Sequence, residues 1–376
     1  MSAKISRFLA ERQPETPCLI VDIDIVGETY KTMRRLLPLA QIFYAVKANP
    51  APEIVSRLIE LGSSFDTASR GEIDLVMGAG AKAERISFGN TIKKERDIAY
   101  AYQQGVRLFA FDSEAELEKL ARSAPGARVF CRILMDCEGA EWPLSRKFGC
   151  APEMAAMLLG RARDLGLDPY GLSFHVGSQQ TDLAQWDMAV ARAARMFSAL
   201  QELNIELKML NVGGGFPARY RSEVKSLEAY AGALMGAIRR HYGNKIPEII
   251  IEPGRSLVGD AGMIRSEVVL ISKKDFDDER RWVYLDIGKF GGLVETMDES
   301  IKYSITTPHD GAATGPVVLA GPTCDSADIL YDKAGYQLPL DLAVGDRVDI
   351  LSTGAYTSRY CSVSFNGFPP LKTYCI

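Results

Sequence analysis

The sequence predicts an α/β protein: a closed parallel (β/α)8 barrel of TIM type, followed by a mostly β domain. Three observations predict it. Short, β-rich apolar runs recur at 42–46, 64–66, 86–88, 107–110, 129–134, 172–175, 209–212 and 248–251. Segments with helical apolar spacing separate them, at 51–61, 70–77, 93–103, 113–121, 152–165, 183–202 and 226–242. After residue 251 the rhythm changes, and the runs at 268–272, 282–286, 317–320 and 347–351 follow one another without long helices between them.

Eight strands alternating with helices fit a barrel, although the same alternation also fits an open doubly wound sheet. Gly62, Gly105, Gly166 and Gly243 stand just past four of the helical segments, where a left-handed cap favours glycine. Ser113 followed by Glu116 has the spacing of a capping box. The span 275–281 holds six charges in seven residues and reads as the solvated end of a hairpin. A further strand at 18–21 precedes the barrel. The expected division is therefore a barrel over 22–260 and a β-rich domain built from 1–21 and 261–376.

With 376 residues, the chain can bury a large core without disulfide or metal staples. The net charge of −4 argues against a nucleic-acid surface. Seven cysteines without a CxxC pair, and only three histidines, argue against zinc; we expect no metal and a reduced, cytoplasmic chain. Lys4, Arg7, Glu11, Arg12 and Glu15 interrupt the first thirty residues, and no run of 18 apolar residues occurs, so neither a signal peptide nor a membrane span is expected.

In a barrel of this type, chemistry gathers at the carboxyl ends of the strands. Those positions hold Lys47, Asp66, Arg132, His175, Gly213, Gly214, Gly215 and Glu252. A lysine there suits a Schiff base, or is a surface lysine at a strand end. Three successive glycines allow backbone N–H groups to approach a phosphate, or form a plain turn. Glu252-Pro253-Gly254-Arg255 offers a guanidinium for phosphate, or a structural ion pair. His175 is a ring-stacking group, a base, or a satisfied core histidine. The turn at 321–325 presents Cys324 and Asp325 together; an idle thiol is the alternative.

Taken together these motifs resemble the pyridoxal-phosphate decarboxylases of basic amino acids, the ornithine/lysine decarboxylases, which have the alanine-racemase-like fold (fold type III). The resemblance runs from Phe43-Tyr44-Ala45-Val46-Lys47-Ala48-Asn49 to Phe365-Asn366-Gly367-Phe368. Between them, in the family's order, come Phe65-Asp66-Thr67-Ala68-Ser69, Leu144-Ser145-Arg146-Lys147-Phe148-Gly149, Ser173-Phe174-His175-Val176-Gly177-Ser178, the Gly213 loop, Glu252-Pro253-Gly254-Arg255, Gly321-Pro322-Thr323-Cys324-Asp325 and Gly354-Ala355-Tyr356-Thr357.

The resemblance implies that Lys47 holds pyridoxal phosphate covalently. It implies that Ser178, Gly213, Gly214, Gly215, Arg255 and Tyr356 bind the phosphate, and that Gly254 belongs to the cofactor site. His175 stacks on the pyridine ring, Glu252 pairs with the ring nitrogen, and Asp66, Glu72 and Arg132 support the lysine and the ring. Cys324 returns a proton to the α-carbon, and Asp325 takes the substrate's distal ammonium. A glutamate at the ring nitrogen keeps the cofactor a strong electron sink, which favours decarboxylation over racemisation. The resemblance further implies a head-to-tail homodimer with shared active sites and a Lys147–Asp328 contact across the interface.

The chain departs from the eukaryotic ornithine enzymes after Gly291, where Glu295 and Asp298 are both candidates for a second distal-amine ligand, and Phe365 is placed at the substrate by its motif. We expect ornithine and/or lysine as substrate, giving putrescine and/or cadaverine. Diaminopimelate, arginine and carboxynorspermidine are the alternatives of the same fold. A non-catalytic protein like the antizyme inhibitors is the alternative from another class.

Overall fold

The computed structural model describes residues 1–135, 138–142 and 146–376. The chain divides into two compact units, one made of 27–217 with 225–254 and one made of 1–26, 218–224 and 255–376.

The first unit is a closed barrel of eight parallel strands: β1 (Ala40–Ala45), β2 (Ser64–Thr67), β3 (Ile86–Phe88), β4 (Leu108–Phe111), β5 (Arg128–Arg132), β6 (Asp168–Ser173), β7 (Met209–Asn211) and β8 (Glu248–Ile251). The barrel closes where β8 pairs with β1, Ile251 opposite Ile42. Phe43, Leu108, Ala110, Phe130, Tyr170, Met209 and Ile250 fill its interior, so it is a packed core and not a pore. The helices follow the strands as the spacing predicts, and Gly62, Gly105 and Gly166 have the positive φ expected of a left-handed cap; Gly243 also has a positive φ, but its ψ of −122° takes it out of the left-handed region.

Three local readings change. The β6 run starts four residues earlier than expected, because Pro169, an unusual residue inside a sheet, lies at a register shift between β5 and β6. The helix Ile23–Leu36 is absent from the sequence reading, its pattern diluted by Gly27, which packs against the Arg57 side chain. The capping box is not formed either. Ser113 occupies the N-cap position without a side-chain cap bond, and Glu116 instead accepts the Lys93 backbone N–H and pairs with the Lys93 and Lys119 ammonium groups. Ser69 does cap its helix, accepting from Glu72 N–H at 3.3 Å, while Glu72 accepts from Ala68 N–H.

The second unit is a nine-stranded sheet organised on the long strand Gly262–Ser272. The first part of that strand pairs with Cys18–Val21 and Arg347–Leu351, the last part with Arg281–Leu285 after a bulge between Val268 and Leu270. The acidic span after Ser272 is the exposed hairpin turn. Cys18–Val21 also pairs, in parallel, with Lys372–Cys375. Ile5 and Leu9, on the helix Ala3–Arg12, pack with Cys18, Ile20 and Met263 under this corner of the sheet.

Candidate active site

Every barrel residue singled out in the sequence lies at the carboxyl end of its strand. Lys47 sits in a single 3-10 turn immediately after β1, Asp66 in β2, Arg132 at the end of β5, His175 just past β6, the three glycines past β7 and Glu252 past β8. Lys47 Nζ donates to Asp66 Oδ2 at 3.4 Å. Asp66 is buried, and Ser87 Oγ donates to its other oxygen at 3.4 Å. A side chain at Gly89 would begin 1.9 Å from that oxygen, so glycine there keeps room for the carboxylate. The Ala45 N–H donates to Pro253 O at 3.1 Å and ties the lysine strand to the turn that carries Glu252.

Burial, reinforced by the neighbouring Asp66 carboxylate and opposed by Lys47, Asn211 and Arg132, raises the Glu252 carboxyl to about 7. Burial pushes His175 well below its ordinary value, and the Arg132 and Lys47 cations push it the same way. The imidazole is therefore neutral at pH 7. Its Nδ1 accepts the Gly177 N–H at 3.0 Å, which places the ring proton on Nε2. Burial also raises Glu72.

Asn211 is the residue the sequence reading missed. Its Nδ2 donates to Glu252 Oε1, and its Oδ1 accepts the Gly213 N–H at 2.8 Å, so one buried side chain orients both the carboxylate and the glycine loop. The signal was a lone amide inside an apolar strand. The loop itself packs closely: a Cβ would meet Phe174 O at 2.4 Å from Gly213, Glu252 O at 2.6 Å from Gly214 and Gly177 O at 2.7 Å from Gly215. Gly213 and Gly215 also have positive φ. Ser178 opens a short strand paired with Trp142. Leu144 and Ser145 of the motif before Lys147 lie outside the described residues, as does Cys137.

The second unit holds the remaining candidates. Arg255 is buried; its Nη1 and Nη2 each lie 2.7 Å from Glu295, Nη1 donates to Tyr220 OH at 2.6 Å, and the guanidinium lies 4.9 Å from the Tyr356 ring centroid. Glu295 is thus engaged by a guanidinium inside its own unit, whereas Asp298, three residues on, is exposed. Cys324 and Asp325 are exposed on a loop that Asp328 clamps from inside. The Asp328 carboxylate accepts Lys289 N–H at 2.8 Å, Thr323 N–H at 3.2 Å and Thr323 Oγ1 at 2.7 Å. Asn366, quoted in the sequence with its motif but given no role there, accepts the Cys324 N–H at 3.1 Å; Phe365 beside it stands 4.7 Å from Phe290, ring to ring.

A lysine beside a buried carboxylate, a neutral imidazole, a glutamate tuned near neutrality and a glycine cradle suit an aldehyde cofactor with a basic ring nitrogen and a phosphate. Residues 24–259 match the family model of the pyridoxal-dependent decarboxylases, pyridoxal binding domain. The chain belongs to that family. It is a decarboxylase that uses pyridoxal phosphate, of the ornithine/lysine decarboxylase group. It is 37% identical over 370 residues to the lysine/ornithine decarboxylase of Selenomonas ruminantium, covering 98% of this chain and 91% of the relative. A crystal structure of SrLDC in complex with PLP and cadaverine superposes with a TM-score of 0.89 at 35% identity, over 100% of this chain and 94% of the other. The arginine decarboxylase of Paramecium bursaria Chlorella virus bound to agmatine superposes with a TM-score of 0.91 at 27% identity, over the whole of both chains. Among the described residues of the decarboxylase no helix is long and apolar enough to cross a membrane.

When bound, pyridoxal phosphate supplies the electron sink that decarboxylation requires. Of this chain's own groups, the described site presents the Lys47 amine beside Asp66, the buried Glu252 carboxyl raised to about 7 and the neutral His175 ring.

Proposed function

We propose that this decarboxylase removes CO2 from L-lysine and L-ornithine, yielding cadaverine and putrescine. The observation behind this reading is the exposed loop on which Cys324 and Asp325 stand side by side: a thiol that returns a proton to the α-carbon, next to a carboxylate suited to a distal ammonium. Asp298 joins Asp325 as the second acidic ligand in this reading, since Glu295 is engaged by Arg255. One methylene separates the two substrates and is worth only about 1–3 kcal/mol in an apolar pocket, so one site accommodates both. The likeness to a lysine/ornithine decarboxylase supports the same choice.

Within the cofactor site, Lys47 is proposed as the covalent anchor. Ser178, Gly213, Gly214, Gly215, Arg255 and Tyr356 form the phosphate-binding set, Gly254 belongs to the cofactor site, Asp66, Glu72 and Arg132 support the lysine and ring, and Phe365 lines the substrate path. The proposed assembly is a homodimer in which Cys324 and Asp325 of one copy complete the site of the other, with Lys147 meeting Asp328 across the interface. The proposed compartment is the cytoplasm, and recovery of the enzyme in a secreted or membrane fraction would contradict it.

Comparison of kcat/KM for lysine, ornithine, arginine and diaminopimelate tests the substrate. Lysine and ornithine should lie within about 200-fold of each other and above the other two; faster turnover of arginine or diaminopimelate would reject the assignment. Sedimentation tests the assembly: a monomer with full activity would reject the shared site.

A further inference from the structure

Cys131, the penultimate residue of β5, and Cys150, which leads into the helix Pro152–Asp164, stand 19 residues apart in the chain and 3.6 Å apart at sulfur. Backbone pairing sets that distance. The Cys150 N–H donates to Arg132 O at 3.0 Å, its carbonyl accepts Leu134 N–H at 2.9 Å, and Ile133 bridges Cys150 in parallel register. Both side chains are buried, Cys131 completely and Cys150 to all but 5% of its surface, and both thiols lie within 4.0 Å of the Arg132 carbonyl. A disulfide has an S–S length of about 2.05 Å, so closure asks the two sulfurs to approach by about 1.5 Å.

We propose that Cys131 and Cys150 are an oxidisable dithiol, closed to a disulfide by a hydroperoxide, and that closure draws on the Arg132 backbone and weakens cofactor binding. The second half rests on Arg132 serving the cofactor site, where its charge acts on both His175 and Glu252. In the first step the Cys150 sulfur attacks one peroxide oxygen; the O–O bond breaks, a sulfenic acid forms, and the other oxygen leaves with a proton as water or alcohol. In the second, the Cys131 sulfur displaces that hydroxyl; the S–S bond forms, the S–O bond breaks and water leaves with the Cys131 proton. The two sulfurs surrender two electrons to the peroxide oxygens, and a dithiol reductant restores both thiols. The order of attack follows from the pair's own geometry: Cys131 is completely enclosed, whereas Cys150 keeps 5% of its surface and is the sulfur a peroxide reaches first.

The test uses the full chain carrying Cys324→Ser, so that the exposed thiol does not contribute. After hydrogen peroxide, non-reducing peptide mapping should yield a Cys131–Cys150 cross-linked peptide lighter than its two parts by two hydrogens. Titration with pyridoxal phosphate, followed by absorbance, should show affinity reduced on the order of tenfold and restored by dithiothreitol. Cys150→Ser should give neither effect, and if that variant fails to fold, the map of the parent decides. Both thiols remaining open to alkylation, or either pairing with another cysteine, would overturn the site. A Cys131–Cys150 disulfide with unchanged cofactor affinity would overturn the coupling to Arg132. A reduced protein that binds no pyridoxal phosphate would instead contradict the cofactor itself.

Discussion

Arg255 and Glu295 are locked together by two parallel 2.7 Å contacts, each residue only 3% exposed. An arginine–carboxylate fork of this kind fixes the plane of the guanidinium. In the substrate site proposed above it favours Asp298 over Glu295, because a carboxylate spent on a buried cation is unsuited to recognising a substrate amine. Glu295→Gln should therefore leave the lysine-to-ornithine kcat/KM ratio unchanged while lowering stability by about 3–5 kcal/mol, the usual cost of stranding one member of a buried pair. Asp298→Asn should shift the ratio with little effect on stability. A shifted ratio in the Glu295 variant would return it to the substrate pocket.

Glu252 makes the cofactor-free protein sensitive to pH. Its carboxyl moves from 4.5 to about 7, chiefly through burial, so the folded chain holds a proton there that the unfolded chain has released. The resulting stability is fully present below pH 4.5 and is lost as pH rises through about 7. Urea unfolding of the cofactor-free protein should show the parent losing stability relative to Glu252→Gln between pH 5 and pH 8. A constant difference between the two would rule out this titration.

The glycine loop tolerates no side chain at its centre. Gly214→Ala places a methyl 2.6 Å from Glu252 O and should cost about 1–3 kcal/mol by overpacking, with a parallel loss of cofactor affinity. Gly232, inside the helix Leu227–Tyr242 with no neighbour within 4 Å of an added methyl, is the control: Gly232→Ala should stabilise by about 0.5–1 kcal/mol. Equal effects at the two positions would contradict the packing account.

Lys93 is buried among Glu116, Asn90 O and Ala110 O, and burial lowers its ammonium to about 8. Lys93→Ala should cost about 3–5 kcal/mol, since Glu116 is left in the interior with one ammonium in place of two; Lys93→Met with Glu116→Leu should recover most of that loss. Chemical denaturation of the three proteins gives the comparison, and a double variant no better than the single one would contradict the pair's dominance.

The barrel was legible because most of its strands, such as Ala40–Ala45 and Glu248–Ile251, carry an apolar run and most of its helices a 3.6-residue period. The candidate site was legible where its residues fall at strand ends: the strand positions singled out Lys47, Asp66, Arg132, His175 and Glu252, and the resemblance supplied the roles expected of them. Asn211 escaped because a single buried amide has no spacing to betray it, and its two partners, Glu252 and Gly213, become neighbours only once β7 and β8 pair. The capping box failed for a related reason. Glu116 has the right spacing from Ser113, but an amine 23 residues earlier in sequence competes for it and wins. Ile329–Tyr331 and Lys372–Cys375 were missed although barrel runs as short were found, because no helix alternates with them to mark them as strands.

The strand Cys18–Val21 finds both of its partners, Gly262–Ser272 and Lys372–Cys375, more than two hundred residues downstream. During synthesis it leaves the ribosome before either partner, and it has to wait, apolar and unpaired, until both have followed. The barrel residues up to Gly254 face no such delay. Vectorial translation should therefore yield a folded barrel before the sheet exists, and a polypeptide stalled short of residue 372 would display an open β edge that protein quality control can read as unfinished.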